Sequence, residues 1–76
     1  MESSIRRKRF EKVAGNRINI ILSKLNSLSN CANKNNYEYD EDDVRKMFKA
    51  IREKLASVEK DFSGQLNKDS KSEFKF

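Results

Sequence analysis

Two runs of apolar residues at helical spacing, in a chain without proline, leave this sequence one kind of secondary structure to build with. Val44, Phe48, Ile51, Leu55, Val58 and Phe62 recur at intervals of 4, 3, 4, 3 and 4, with Met47 alongside. Phe10, Ala14, Ile18, Ile21, Leu25 and Leu28 recur at 4, 4, 3, 4 and 3, and Leu22 widens that stripe. Such spacing places each set on one face of a helix and on neither face of a strand. The expected fold is therefore all-α, with helix 1 over about 5–28, a loop over 29–39 and helix 2 over about 41–63. Val13 and Ile20 fall well off the first stripe and form a second, smaller apolar strip, which suits a helix with two neighbours.

The boundaries have local causes. Asp40 is placed as an N-cap, with Asp43 three residues on as the reciprocal acid of a capping box. Glu41 and Asp42 add negative charge where the helix dipole is positive. Tyr39 and Val44 are positioned to form a hydrophobic staple across that cap. Gly64 is expected to supply a left-handed residue that ends helix 2 near Ser63. The connection carries Asn30, Asn33, Asn35 and Asn36, whose side chains compete for backbone hydrogen bonds and favour turns. Its length lets the helices fold back as an antiparallel two-helix hairpin over residues 1–64, with Tyr37 and Tyr39 against the hairpin end. Residues 65–76 have no apolar period and are expected to form a disordered C-terminal tail. Gly15, inside helix 1, reads either as a tolerated glycine or as a point where another backbone approaches closely.

Size limits how such a hairpin is stabilised. Seventy-six residues make one domain, and a domain this small usually needs a staple, a metal or a partner chain. The single cysteine, Cys31, cannot form an intrachain disulfide, and with no histidine there is no Cys/His cluster for zinc. Self-association is the remaining route, and a homodimer completing a four-helix bundle is expected. The lone thiol and the lack of a signal peptide point to the cytoplasm. The stretch from Ile18 to Leu28 is too interrupted by polar residues to span a bilayer.

The residue types needed for catalysis are missing as a set. There is no histidine for general acid–base work, no base to activate Cys31, and no glycine loop to cradle phosphate. The acids at 40–43 are explained by capping, and they lack the glycine and distal glutamate of a calcium loop. The expectation is a protein that is not an enzyme, with no cofactor, no metal and no small-molecule substrate.

Charge is the informative feature. The net charge is +5, and residues 1–30 hold seven Lys/Arg against two acids, so the excess lies in the first third of the chain. Arg6, Arg7, Lys8 and Arg9, followed by Lys12 and Arg17, sit at the start of helix 1, where cations oppose the helix dipole and repel one another. Helix 2 follows the opposite, favourable rule. A locally unfavourable arrangement points to a functional site, and phosphate binding would relieve it; the plainer reading is a solvated basic end. Lys8, Arg9 and Lys12 lie away from the apolar stripe, Arg6, Arg17 and Lys24 flank it, and Arg7 falls on its side. These six residues, Arg6, Arg7, Lys8, Arg9, Lys12 and Arg17, are the candidate nucleic-acid-binding residues, with DNA favoured over RNA and contacts mainly to phosphates. Asn16 and Asn19, on the same helix, could touch base edges, a conjecture that the sequence does not test. The layout is similar to that of basic helix-loop-helix dimers, but Glu11 is followed three residues on by Ala14, not by the arginine of their base-reading pattern. The long loop and the acidic start of helix 2 also count against a helix-turn-helix.

A second candidate is protein docking. Phe74 and Phe76 flank Lys75 at the end of a polar segment and could enter an apolar pocket of a partner protein. The same rings could instead fold back on the helices, or have no role.

As a set, the stretches KRFEKVAGNRINIIL, LSNCANKNNYEY and DEDDVRKMFKAI, with the FKF end, resemble short accessory proteins encoded on plasmids, phages and integrative elements of Gram-positive bacteria. That group offers no assigned role to carry over. The resemblance implies a bacterial cytoplasmic setting, and a partner that is either nucleic acid or a protein of the host or element.

Overall fold

The computed structural model describes residues 2–71, and side chains from 5 to 67. Two α-helices account for the secondary structure among the described residues: α1, Glu2–Asn30, and α2, Glu41–Lys71. The chain divides into two units, Met1–Glu38 and Tyr39–Phe76, with one helix in each.

In the first unit, α1 is a 29-residue helix that carries the stripe from Phe10 to Leu28. It begins a few residues sooner and ends two residues later than the apolar pattern marks, a normal looseness for helix ends. Its last carbonyls are closed by tighter bonds: the Cys31 amide donates to Leu28 O at 2.9 Å and the Ala32 amide to Ser29 O at 3.1 Å. Such bonds satisfy two of the four carbonyls that a helix end leaves without partners. The asparagine-rich segment then turns about Asn33. Its side-chain oxygen accepts from the Asn35 amide at 2.9 Å. Its carbonyl accepts from the Asn36 and Tyr37 amides at 3.1 and 3.0 Å. This is the competition between asparagine side chain and backbone that the composition of the segment suggests.

In the second unit, α2 starts on the expected capping box. The Asp43 amide donates to Asp40 Oδ1 and the Asp40 amide to Asp43 Oδ2, both at 2.9 Å. The Val44 amide donates to the Asp40 carbonyl at 3.2 Å, closing the first turn. Tyr39 and Val44, the expected staple pair, are both half-buried.

The end of α2 differs from expectation. The helix does not stop at Ser63 but runs on to Lys71. Gly64 does not take a left-handed conformation, since no described glycine has positive φ. Residues 65–71, expected to belong to a disordered tail, are helical. Leu66, four residues after Phe62 and two past the glycine, lies at the edge of the apolar stripe and is 71% exposed. A single interior glycine costs about 1 kcal/mol relative to alanine, which an otherwise proline-free helix can absorb.

Burial is shallow in both units. Among the described residues no side chain is buried. Those that come nearest are Ala14 and Leu28 on the α1 stripe, and Val44 and Ile51 on the α2 stripe, together with Tyr39. Ile18 is 53% exposed and Leu55 56%. A β-carbon added at Gly15 or Gly64 would meet nothing within 4 Å.

Candidate nucleic-acid interface

The first half of α1 positions the basic residues. Arg6, Lys8, Arg9, Lys12 and Arg17 are all helical and all exposed. Arg7 is engaged differently. Its Nε donates to Glu11 Oε2 at 2.8 Å, and its guanidinium carbon lies 5.8 Å from the centre of the Phe10 ring. Both interactions draw Arg7 toward the apolar side of the helix, where the spacing already placed it. Both lie at the surface and are worth a fraction of a kcal/mol each. Of the six candidate residues, five present cations with no ion-pair partner among the described residues, and Arg7 is held by its own helix.

Glu11 is the one carboxylate between residues 5 and 37, and it is the partner of Arg7. No basic residue lies in the last turn of α1. The helix thus concentrates its positive charge in its N-terminal half, beyond a first turn that begins with Glu2 and holds none of the six candidate cations, so the expected conflict with the dipole is small. α2 shows the reverse, with Glu41, Asp42 and Asp43 in its first turn.

A second feature follows from the helical geometry and is not marked by hydropathy. Lys8, Lys12, Asn16, Asn19, Ser23 and Asn26 repeat at 4, 4, 3, 4 and 3, the spacing of the apolar stripe displaced by two residues. A shift of two residues is about 200° around a helix, so this polar stripe runs along the opposite face. All six side chains are exposed. From Lys8 to Asn26 the stripe extends about 27 Å at 1.5 Å per residue. It begins with cations and continues with amides and a hydroxyl, groups that both donate and accept hydrogen bonds. Ser23 and Asn26 are not among the residues that sequence reasoning singles out. The signal that identifies them is a period among polar residues, not among apolar ones.

The other titratable clusters have local roles. Asp40 and Asp43 cap α2, while Asp42 pairs with Arg45 at 2.5 Å. Lys49 and Glu53 approach to 4.0 Å one turn further on. Among the described residues no group of three His, Cys, Asp or Glu side chains could hold a metal ion. Cys31 is exposed in the turn after α1. No described helix is long and apolar enough to cross a membrane. Phe74 and Phe76, the candidate docking residues, lie outside the described residues.

Comparisons with protein-family models, curated proteins and solved structures gave no match to this chain.

Proposed function

We propose that this chain is a non-enzymatic accessory protein that binds the backbone of nucleic acid through α1. The observation that carries this reading is the group of exposed cations Arg6, Lys8, Arg9, Lys12 and Arg17 in α1, which repel one another at i, i+3 and i+4 spacing and have no carboxylate partners among the described residues. An anionic ligand turns that liability into a binding site. Phosphates screen the cations from one another, and each phosphate neutralised releases counterions. The polar stripe behind the cations suits duplex DNA. An α-helix fits the major groove of B-form DNA, where asparagine pairs with the edge of adenine. The major groove of an A-form RNA duplex is too deep and narrow to be read this way. In this reading the cations hold phosphates, while Asn16, Asn19, Ser23 and Asn26 lie along base edges and sugars.

The apolar faces belong to the assembly. The helices pack as an antiparallel hairpin, and two copies form a four-helix bundle that buries both stripes and leaves the basic face of each α1 outward. The protein acts in the cytoplasm of a bacterium as an accessory of a mobile element, as the resemblance of its sequence implies.

The test is a set of neutralising variants titrated against a labelled duplex. Replacing Arg6, Lys8, Arg9 and Lys12 by glutamine should lower affinity and reduce the slope of log affinity against log salt by about 0.9 for each phosphate that is no longer neutralised. Arg7→Gln should cost less than Lys8→Gln, because Arg7 is already engaged with Glu11 and Phe10. Unchanged affinity in the fourfold variant would remove the basis of the proposal.

A further inference from the structure

The apolar face of α2 is flanked on both sides by charged residues, and their order is informative. One flank carries Arg45, Arg52 and Glu59; the other carries Lys54 and Asp61 beyond Met47. Arg45 already pairs with Asp42 of its own helix. Arg52, Lys54, Glu59 and Asp61 are exposed and take part in no ion pair among the described residues. Two helices that pair through such a face bring flanking charges of one chain against those of the other. Which charges meet depends on direction and register.

We propose that α2 pairs with α2 of a second copy of this chain, antiparallel, about a midpoint between Ala56 and Ser57. In this register Leu55 packs against Val58 of the second copy, and Ile51 against Phe62 of the second copy. Phe48 meets Gln65 of the second copy at each end. Arg52 then faces Glu59 of the second copy on one flank, and Lys54 faces Asp61 of the second copy on the other. The two-fold axis repeats both, so all four otherwise unpaired flanking charges are matched twice. Arg45, whose counterpart across the seam is Leu66, is the flank cation that already holds a partner in its own helix. The midpoint of the pairing coincides with the middle of α2, Glu41–Lys71, so the helices overlap along nearly their whole length.

The alternatives are poorer on charge alone. A slip of one heptad in one direction sets Arg52 against Arg52 and Lys54 against Lys54; it also brings Arg45 to Glu59, but Arg45 already holds Asp42 of its own helix and Asp61 then faces Met47. A slip in the other sets Glu59 against Glu59 and Asp61 against Asp61. A parallel, in-register pair matches Lys54 with Glu59 but leaves Arg52 and Asp61 without charge partners. It also brings the acidic first turns, Glu41, Asp42 and Asp43, of both copies side by side. Like charges at such an interface are destabilising, which is how charge selects direction as well as partner.

This pairing gives a direction and a register to the self-association proposed above, on which it rests, and it uses none of the α1 cations. Its test involves no nucleic acid. The full chain is examined by sedimentation equilibrium at low salt, with far-UV circular dichroism to confirm that each variant stays helical. Glu59→Arg should weaken dimerisation by about tenfold or more, since two attractions become two repulsions. Adding Arg52→Glu should restore it, because the swapped pair again faces an opposite charge. In a parallel pair the double variant would set Lys54 against a second cation, at position 59, and stay weak. A wild-type chain that remains monomeric at every concentration, as expected if α1 of the same chain alone covers the face, overturns both self-association and this pairing. A wild-type dimer whose single variant is as tight, or whose double variant is no tighter than the single, overturns this pairing alone.

Discussion

Asp40 and Asp43 each satisfy the other's backbone amide at 2.9 Å, and that exchange is the best-defined local interaction in the chain. It sets where α2 begins and, through it, the register of every apolar residue that follows. An N-cap of this type contributes about 1 kcal/mol to helix stability. Asp40→Ala should therefore reduce the helical signal of the chain in far-UV circular dichroism and lower its thermal midpoint. Asp40→Asn, which keeps the accepting oxygen, should lose much less. Equal loss in both variants would mean that the carboxylate charge matters, and not the cap. The contrast with α1 is informative at the same scale. There the ion pair at i, i+4 spacing, Arg7–Glu11, has its cation on the N-terminal side, the weaker orientation on a helix. That pair adds little to the N-terminal half of α1, which fits a surface kept for something other than stability.

At the scale of the element, α2 is longer than its capping signals suggest. Gly64 sits in the helix with ordinary φ and open space around its α-carbon. Gly64→Ala should therefore stabilise α2 by up to about 1 kcal/mol and raise helicity. A fall in helicity would show that the glycine ends the helix after all. Both helices, the capping box and the asparagine turn are legible in the sequence because each rests on short-range chemistry: an i, i+3 acid pair, a 3–4 apolar period, an amide that competes with the backbone. The end of α2 is not, because glycine gives the same signal whether it caps a helix or is tolerated inside one. The cations of the candidate site are visible as a run, with Asn16 and Asn19 named beside them, but the continuation of the stripe through Ser23 and Asn26 is not. Asn16, Asn19, Ser23 and Asn26 carry no hydropathy contrast with a solvated face, and only their common spacing with Lys8 and Lys12 sets them apart.

For the whole molecule, the division of labour follows charge. α1 and the turn after it hold the excess positive charge and, between residues 5 and 37, a single carboxylate; α2 is nearly balanced, with its charges ordered along the flanks of one apolar face. A chain of this length with no buried side chain among the described residues needs further apolar surface to cover its stripes. Self-pairing through α2 and hairpin packing of α1, as proposed, supply it, and two copies then present two basic helices to one ligand. Binding two sites on one duplex raises the apparent affinity through effective concentration, beyond what either helix gives alone.

Whether the exposed cations of α1 bind phosphates is tested most directly by fluorescence anisotropy of a labelled DNA duplex titrated with the full chain. Salt is varied from about 50 to 200 mM, the range over which phosphate-driven binding weakens steeply. With Arg6, Lys8, Arg9, Lys12 and Arg17 each on a phosphate, log affinity should fall against log salt with a slope of about −4.5 per chain. Absence of binding at the lowest salt, or binding with a slope near zero, would contradict phosphate recognition and leave the basic turn of α1 as a solvated helix end.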